Sequence, residues 1–216
     1  MHLIHRGIVN KNFKENLLKS FKQSFKKGYG VETDIHATKD NQFICFHDFT
    51  LQRIFKKNLS IKNLKYSKIK EISKKINKPI PLLKDLLESS KNKYSLYIEI
   101  KPIFSKLLLK KLLKETSKFK NSVFISFKHE NIYNLLKIKK NTKVGLSFSS
   151  PTSIKKIIEK SNNKNINCLI LEKLSNDVDI VSNFSIPTSF DLCITFLRSL
   201  NNGSWSRWQC ESIIIF

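Results

Sequence analysis

The chain is poor in glycine, proline and acidic residues, and it contains no long hydrophobic run. Five glycines and five prolines among 216 residues argue against long flexible linkers, so we expect one domain over residues 1–216. No apolar run approaches the length of a membrane span, and no signal peptide fits before His5. These absences predict a soluble, cytoplasmic protein without a transmembrane segment.

Cysteine is also scarce, and the four cysteines do not occur in closely spaced pairs: Cys45, Cys168, Cys193 and Cys210. The lack of a C-x-x-C pair argues against a structural zinc site. Three of the four lie in or beside apolar runs, which predicts buried thiols and a reducing compartment.

The shortage of acidic residues leaves a strong positive charge, because forty Lys and Arg oppose seventeen Asp and Glu, for a formal net charge of +23. Such an excess indicates nucleic acid, an anionic membrane surface or an anionic substrate as partner. The lysines, however, are spread along the whole chain, which is also rich in Asn, Ile and Phe. Because these residues have A/T-rich codons, genome composition alone also accounts for the charge. We expect a small anionic substrate, and no nucleic acid.

Short apolar runs alternate with longer amphipathic segments along the chain. The runs predict nine strands, at residues 2–5, 31–36, 43–47, 96–100, 123–127, 144–148, 168–171, 192–196 and 212–216. The amphipathic segments predict helices between them, at residues 13–25, 108–113, 131–139, 153–160 and, more weakly, 197–209. Residues 56–78 are lysine-rich and weakly periodic, which predicts a solvated excursion.

Repeated strand–helix units indicate a parallel sheet with helices outside it. About eight such units in a chain of this length favour a single-domain, TIM-type (β/α)8 barrel, with a doubly wound open sheet as the alternative. The nine strands are one too many, and the short connection "ATKDNQ" between the second and third marks an irregular, hairpin-like place.

Four predicted strands end in polar residues, and in a barrel these ends converge on one face. Glu32 and Asp34 are two residues apart and therefore point to the same side of their strand. Glu99 lies inside the apolar run "LYIEIKP" and needs a partner there. Three inward carboxylates suit a hard divalent cation such as Mg²⁺ or Ca²⁺, while salt bridges to nearby lysines are the alternative.

Two histidines and two cations complete this set of strand-end residues. His5 and His47 each close a strand, and a pair of imidazoles can divide general-acid and general-base roles near neutral pH. Arg6 and Lys101 point to the same face, and a guanidinium suits bidentate contact with phosphate oxygens. The set predicts metal-assisted cleavage of a phosphoester. The other histidines lack this context and are assigned no role.

The same stretches resemble the glycerophosphodiester phosphodiesterase family. Its motifs occur here in the family's order, as "HRG", "KENL", "VETDIH", "HDFTLQR", "IPLL" and "YIEIKP", followed by "FISF". The match runs from His5 to Phe127. Any one motif is weak evidence, but the ordered set is specific.

The resemblance implies a TIM-type barrel that hydrolyses glycerophosphodiesters to glycerol 3-phosphate and an alcohol. It also assigns roles: a divalent ion on Glu32, Asp34 and Glu99, acid–base chemistry on His5 and His47, and phosphate contacts on Arg6 and Lys101. Four further matches are expected to brace the site or hold the loop after His47: Glu15, Asn16, Asp48 and Arg53.

The chain departs from the family pattern at several places. Lys14 and Leu17 replace the usual Pro and Thr around the E-N pair, which should alter helix capping more than chemistry. The family's W-T-V-N and D-G-I-I-T-D strands are reduced to "CITFL" and "CESIIIF", which affects the wall that selects the alcohol. Two other functions remain open: the same barrel acting on lysophospholipid-like diesters, and a non-catalytic basic protein that binds nucleic acid or anionic lipid.

Overall fold

The computed structural model describes residues 2–149, 152–161 and 165–171, together with the strand residues 193–194 and 214–215. It contains nine strands in these ranges: β1 Leu3–His5, β2 Gly30–Ala37, β3 Phe43–Cys45, β4 Leu96–Ile100, β5 Ser122–Ser126, β6 Val144–Phe148, β7 Cys168–Leu171, β8 Cys193–Ile194 and β9 Ile214–Ile215. The helices are α1 Leu18–Lys26, α2 Gln52–Phe55, α3 Tyr66–Lys75, α4 Leu83–Ser90, α5 Lys106–Thr116, α6 His129–Ile138 and α7 Ile154–Ser161, with a 3₁₀ turn at Ile61–Asn63. None of the described helices is long and apolar enough to span a bilayer.

The main sheet follows the chain in a single direction. Its parallel strands lie in the order β1-β2-β4-β5-β6-β7, and β3 pairs antiparallel with β2 at its side. A doubly wound sheet would reverse its strand order at a switch point, and the described sheet contains no such reversal. A sheet wound in one direction keeps its helices on one face, as a barrel requires.

The two faces of this sheet carry different residues because side chains alternate along each strand. The helix-facing side is apolar: Val31 and Ile35 of β2 pack with Phe21 of α1, and Ile98 and Ile100 of β4 lie in the same cluster. The opposite side has a smaller apolar layer, which contains Leu3, Tyr97, Ile125, Cys168 and Ile170. The charged residues of the candidate site lie on this inner side, toward the carboxyl ends of the strands.

Residues 56–78 are more ordered than the sequence predicts. They contain the 3₁₀ turn and α3, and their apolar side chains form a separate core with β3 and its flanks, which includes Ile44, Phe46, Ile61, Ile69 and Ile72. Apolar residues recur only about once per helical turn in this segment, and the many lysines between them make that pattern hard to recognise in the sequence. The prediction of a solvated excursion is therefore wrong.

Two other predictions need correction. The helix predicted from residue 13 begins at Leu18, because Asn16 has a left-handed backbone (φ 54°) that interrupts it. The last two predicted strands appear as the two-residue β8 and β9, which pair antiparallel with each other in a separate sheet. An apolar run predicts a strand but does not determine which strand pairs with it. The helix predicted at residues 197–209 lies outside the described residues.

Candidate active site at the carboxyl ends of the strands

Three buried carboxylates meet on the inner face of the sheet. Glu32 and Asp34 belong to β2 and Glu99 belongs to the adjacent β4, where Asp34 and Glu99 are register partners. One oxygen atom from each carboxylate lies within 4.8 Å of one from each of the others. The structure thus brings together the three residues that the sequence predicts as ligands for a hard cation.

Two cations partly neutralise this cluster. Arg6 Nε lies 3.0 Å from Asp34 Oδ2, and Lys101 Nζ lies 2.8 Å from Glu99 Oε1 and 3.4 Å from Asp34 Oδ1. Burial alone would raise the pKa of Asp34, but Arg6 and Lys101 outweigh it and lower that pKa. Burial favours the neutral amine of Lys101, yet Glu99 and Asp34 raise its pKa. Asp34 is therefore an anion held between two cations.

Arg6 and Lys101 also act to lower the pKa of Glu32, but they do not outweigh the opposing effects. Burial, and then the charges of Asp34 and Glu99, raise its pKa well above the ordinary value. Its Oε1 atom, like Asp34 Oδ1, is buried without a hydrogen-bond partner. Unsatisfied carboxylate oxygens that converge within a few ångströms have the chemistry of a Mg²⁺ or Ca²⁺ site, so the residues present fit a divalent cation.

The backbone at the end of β1 explains why the motif contains glycine. Arg6 adopts a left-handed conformation (φ 55°) and Gly7 follows at φ 76°. A Cβ atom on Gly7 would lie 2.9 Å from the backbone carbon of Ser20, which no side chain tolerates. The turn returns the chain toward α1, where the Asn16 amide N–H donates to the Arg6 carbonyl at 2.9 Å. This turn, with its two left-handed residues, therefore holds Arg6 beside Asp34.

Asn16 connects the turn to the carboxylates. Its side-chain Nδ2 donates to Asp34 Oδ2 at 2.9 Å, and its Oδ1 accepts from Thr33 Oγ1 at 2.8 Å. Asn16 is buried with both of these bonds made. Asn16 thus joins the Arg6 turn to β2, where the resemblance predicts that it braces the site.

The two histidines lie at the edge of the cluster and are accessible. About a third of each side chain is exposed, 35% for His5 and 32% for His47. His5 Nε2 is 3.8 Å from Glu32 Oε2, and His47 Nδ1 is 2.7 Å from Asp48 Oδ1. Partial loss of solvation, and then the charge of the adjacent Arg6, lower the pKa of His5 to about 3.

A series of ion pairs links the loop after His47 to the carboxylates. Asp48 Oδ2 accepts from Arg53 Nε at 2.6 Å, and Arg53 also pairs with Glu15 Oε1. The other Glu15 oxygen lies 3.5 Å from Arg6 Nη1. The His47 loop and the Arg6 turn are thereby held by one network. A cavity of about 420 Å³ lies beside Glu15 and Arg53, lined mainly by apolar side chains.

Sequence reasoning missed a third histidine in the site. His36 is buried on the same face as Glu32 and Asp34, and its Nε2–H donates to the His47 carbonyl at 3.1 Å. Burial lowers the pKa of His36 to about 4, although the hydrogen bond to His47 opposes the shift. The alternation in "VETDIH" was the available signal, because it places residues 32, 34 and 36 on one face.

The sequence also did not predict a group of hydrogen bonds, made by Asn131 and Ser126, beyond the ends of β4 and β5. Asn131 Nδ2 donates to the Pro102 carbonyl at 2.9 Å, and its Oδ1 accepts from the Phe104 amide at 2.9 Å. Ser126 Oγ donates to the Ile100 carbonyl at 2.7 Å. These bonds fix the loop that follows Lys101. Nothing in the local sequence pattern distinguishes Asn131 from other helix residues.

The fold and the site together define a class of protein: a parallel α/β barrel with a buried acidic centre, paired cations and accessible imidazoles at its strand ends. The chain belongs to the glycerophosphoryl diester phosphodiesterase family, whose sequence model matches residues 5–188. The resemblance predicted from the motifs is therefore confirmed.

Individual relatives agree with this assignment. The chain is 28% identical over 164 residues to human lysophospholipase D GDPD1, covering 68% of this chain and 51% of that protein. It is 28% identical over 162 residues to the glycerophosphodiester phosphodiesterase of Caldanaerobacter subterraneus, covering 68% of this chain and 65% of that one. The chain thus spans between half and two thirds of these curated relatives.

A solved structure confirms the fold class. The glycerophosphodiester phosphodiesterase of Thermotoga maritima superposes with a TM-score of 0.66 at 28% identity, covering 79% of this chain and 72% of that one. The predicted TIM-type (β/α)8 barrel is therefore correct.

Proposed function

We propose that the protein hydrolyses glycerophosphodiesters to glycerol 3-phosphate and an alcohol, with Mg²⁺ or Ca²⁺ bound by Glu32, Asp34 and Glu99. One observation carries the proposal: three buried carboxylates, two of them with an oxygen that accepts no hydrogen bond, lie beside Arg6 and Lys101 in a chain of this family. A bound divalent cation would offset the negative charge that the phosphoryl oxygens carry.

Arg6 and Lys101 are proposed to contact the phosphodiester. Both already lie at the cluster, held by Asp34 and Glu99. A planar guanidinium presents several N–H donors to two oxygens at once, whereas an ammonium acts as a point charge. Arg6 is thus suited to orient the phosphoryl group, and Lys101 to stabilise charge that grows on it.

His5 and His47 are proposed to move the protons. Water attacks phosphorus and loses a proton to one imidazole, while the bond from phosphorus to the alcohol oxygen breaks and that oxygen receives a proton from the other. Asp48 stabilises a protonated His47, which suits His47 to donate to the leaving alkoxide. His5, between Arg6 and Glu32, is then the acceptor. A glycerol hydroxyl in place of water would give a cyclic phosphate.

A second substrate class has specific support. The human relative is named a lysophospholipase D, and the same site chemistry would cleave a lysophospholipid to release its headgroup alcohol. The two classes differ in the presence of an acyl chain, not in the bond that breaks.

We also propose a cytoplasmic location, which the cysteines support. Cys45 is buried and forms no disulfide within the described residues, and burial raises its pKa to about 12. Unpaired thiols are typical of reducing compartments, which supports the cytoplasm.

The experiment is release of glycerol 3-phosphate from glycerophosphocholine, with added Mg²⁺ or Ca²⁺ and with EDTA, and lysophosphatidylcholine assayed in parallel. We expect turnover that EDTA abolishes. Turnover of lysophosphatidylcholine alone would favour the second substrate class. Inactivity on both substrates, together with salt-sensitive DNA binding, would instead support a non-catalytic basic protein.

A further inference from the structure

The rim of the cleft exposes large apolar side chains. Phe49 is 53% exposed, Ile103 is 57% exposed and Leu107 is 73% exposed, and Leu59 is also exposed. Only two other large apolar residues in the described part of the chain are comparably exposed, Ile76 and Ile158. Exposure of single apolar residues is ordinary, so their placement decides whether they form a surface.

The first pair lies beside His47. Phe49 follows His47 by two residues, and its ring packs edge-on against His36 with centroids 5.0 Å apart. Leu59 is held next to this segment, because its carbonyl accepts from the Leu51 amide at 3.0 Å and the Phe49 carbonyl accepts from the Ile61 amide at 3.1 Å. Phe49 and Leu59 therefore belong to one edge of the cleft.

The second pair lies beyond Lys101. Ile103 follows Lys101 by two residues in the loop after β4, and α5 begins at Lys106. Because this helix follows its strand, its first turn lies at the carboxyl end of the sheet, and Leu107 is in that turn. The sheet register places Lys101 next to His36, since Ile35 and Ile100 are partners. Both apolar pairs therefore flank the same strand ends.

Exposed lysines surround these apolar residues. Lys56, Lys57 and Lys62 lie near Leu59 in the chain, and Lys106 and Lys110 flank Leu107. The acidic residue that precedes Phe49 in the chain, Asp48, is already paired with His47 and Arg53. The whole chain carries a net charge of +23. Apolar side chains interleaved with lysines are complementary to an anionic lipid surface, whereas a nucleic acid would gain little from isoleucine and leucine.

We propose that Phe49, Leu59, Ile103 and Leu107, with their neighbouring lysines, form a docking surface for an anionic lipid bilayer. Docking would turn the open end of the barrel toward the lipid. The inference deepens the proposed function and rests on it in one respect: the docked cleft would receive diesters directly from the membrane.

The test uses flotation of the full chain with two kinds of vesicle, one of phosphatidylcholine alone and one in which about a third of the lipid is phosphatidylglycerol. Because lysines near an anionic surface are attracted to it, we expect binding at least about tenfold tighter to the anionic vesicles. The double variant Ile103→Gln/Leu107→Gln should weaken that binding about tenfold. Both residues are exposed, so the fold should be retained, as circular dichroism can verify.

The matched control is Ile76→Gln. Ile76 is also exposed, but it follows the last residue of α3, ten residues from Tyr66, which contacts Asp40 in the hairpin beyond β2. It lies about 15 Å along the helix from that contact. We expect Ile76→Gln to bind vesicles like the unchanged chain.

Two results would overturn the docking surface: no preference for anionic vesicles, or equal loss of binding in the double variant and in Ile76→Gln. Hydrolysis of glycerophosphocholine, which is free in solution, separates this from the proposed function. If that hydrolysis fails while the double variant still loses vesicle binding, the docking surface stands and the proposed activity falls.

Discussion

One layer of inward-facing residues crosses the barrel interior, and it is charged on one side and apolar on the other. The register runs from Asp34 on β2 to Glu99 on β4, and then to Ile125, Gly145 and Cys168 on β5, β6 and β7. The first two residues are charged and the last three are apolar or small, although all five occupy equivalent positions. Within the described strands of the main sheet, the inward-facing charge of this layer and its neighbours therefore lies on β1, β2 and β4.

The two sides are stabilised differently. On the apolar side, close packing is enough: a Cβ on Gly145 would overlap the Cys168 sulfur, so little space remains there. On the charged side, each group depends on named partners, because a buried charge without one is costly. Asp34 has Arg6, Lys101 and Asn16, whereas Glu32 lacks equivalent compensation. We infer that the charged side serves chemistry at some cost to stability.

The largest effect is expected from the histidines of the charged side. His5→Ala and His47→Ala should each lower kcat on glycerophosphocholine by about 10²-fold or more, because each removes one proton transfer. Both side chains are partly exposed, so the melting temperature should change little. Steady-state kinetics measures the expected fall in kcat, and thermal unfolding measures the melting temperature. A histidine variant that keeps full activity would remove that residue from the mechanism.

The smallest effect on activity is expected on the apolar side. Ile170→Val deletes one methylene from a buried side chain of β7 and should lower the free energy of unfolding by about 1 kcal/mol. Because Ile170 belongs to the apolar cluster and contacts none of the charged residues by ion pair or hydrogen bond, kcat should be unchanged. Denaturant unfolding and the same kinetic assay measure both values. A large fall in kcat would contradict the division between the two sides.

The sequence predicted the charged residues of the site better than the contacts that hold them in place. Alternation in "VETDIH" and the polar strand ends identified Glu32, Asp34, Glu99 and their neighbours because period-two patterns report directly on sheet faces. The register that pairs Asp34 with Glu99 is set by packing between β2 and β4. The sequence predicted their proximity only because it predicted a barrel, in which strand ends converge. His36 was missed, since its contact is to the backbone of His47, in the loop that follows β3.

The predictions of helix boundaries were wrong for a similar reason, because contacts distant in sequence decided the structure. Phe13 and Leu17 fit the helical period of α1, but Asn16 adopts a left-handed backbone with its side chain bonded to Asp34 and Thr33. A tertiary contact therefore overrides local periodicity at the site. The α3 helix was missed because its buried face contains few apolar residues, including Ile69 and Ile72, among lysines.

The central claim is that Glu32, Asp34 and Glu99 form a cation site, and Glu32→Gln tests it through stability. Because the folded-state pKa of Glu32 is raised, the proton it holds stabilises the fold at low pH, and that stabilisation is lost as pH rises through the folded pKa. At a pH above that value, ionised Glu32 opposes folding unless a cation binds.

Thermal unfolding with EDTA and with saturating Mg²⁺ or Ca²⁺, across a pH series that extends above the folded-state pKa of Glu32, is therefore the most direct measurement. In EDTA the Glu32→Gln variant should be the more stable by about 1 kcal/mol, because the uncompensated charge is gone. With the cation, the unchanged chain should gain more stability than the variant, since it binds the ion more tightly. If the variant is less stable in EDTA and the cation stabilises both proteins equally, the carboxylates do not form a cation site.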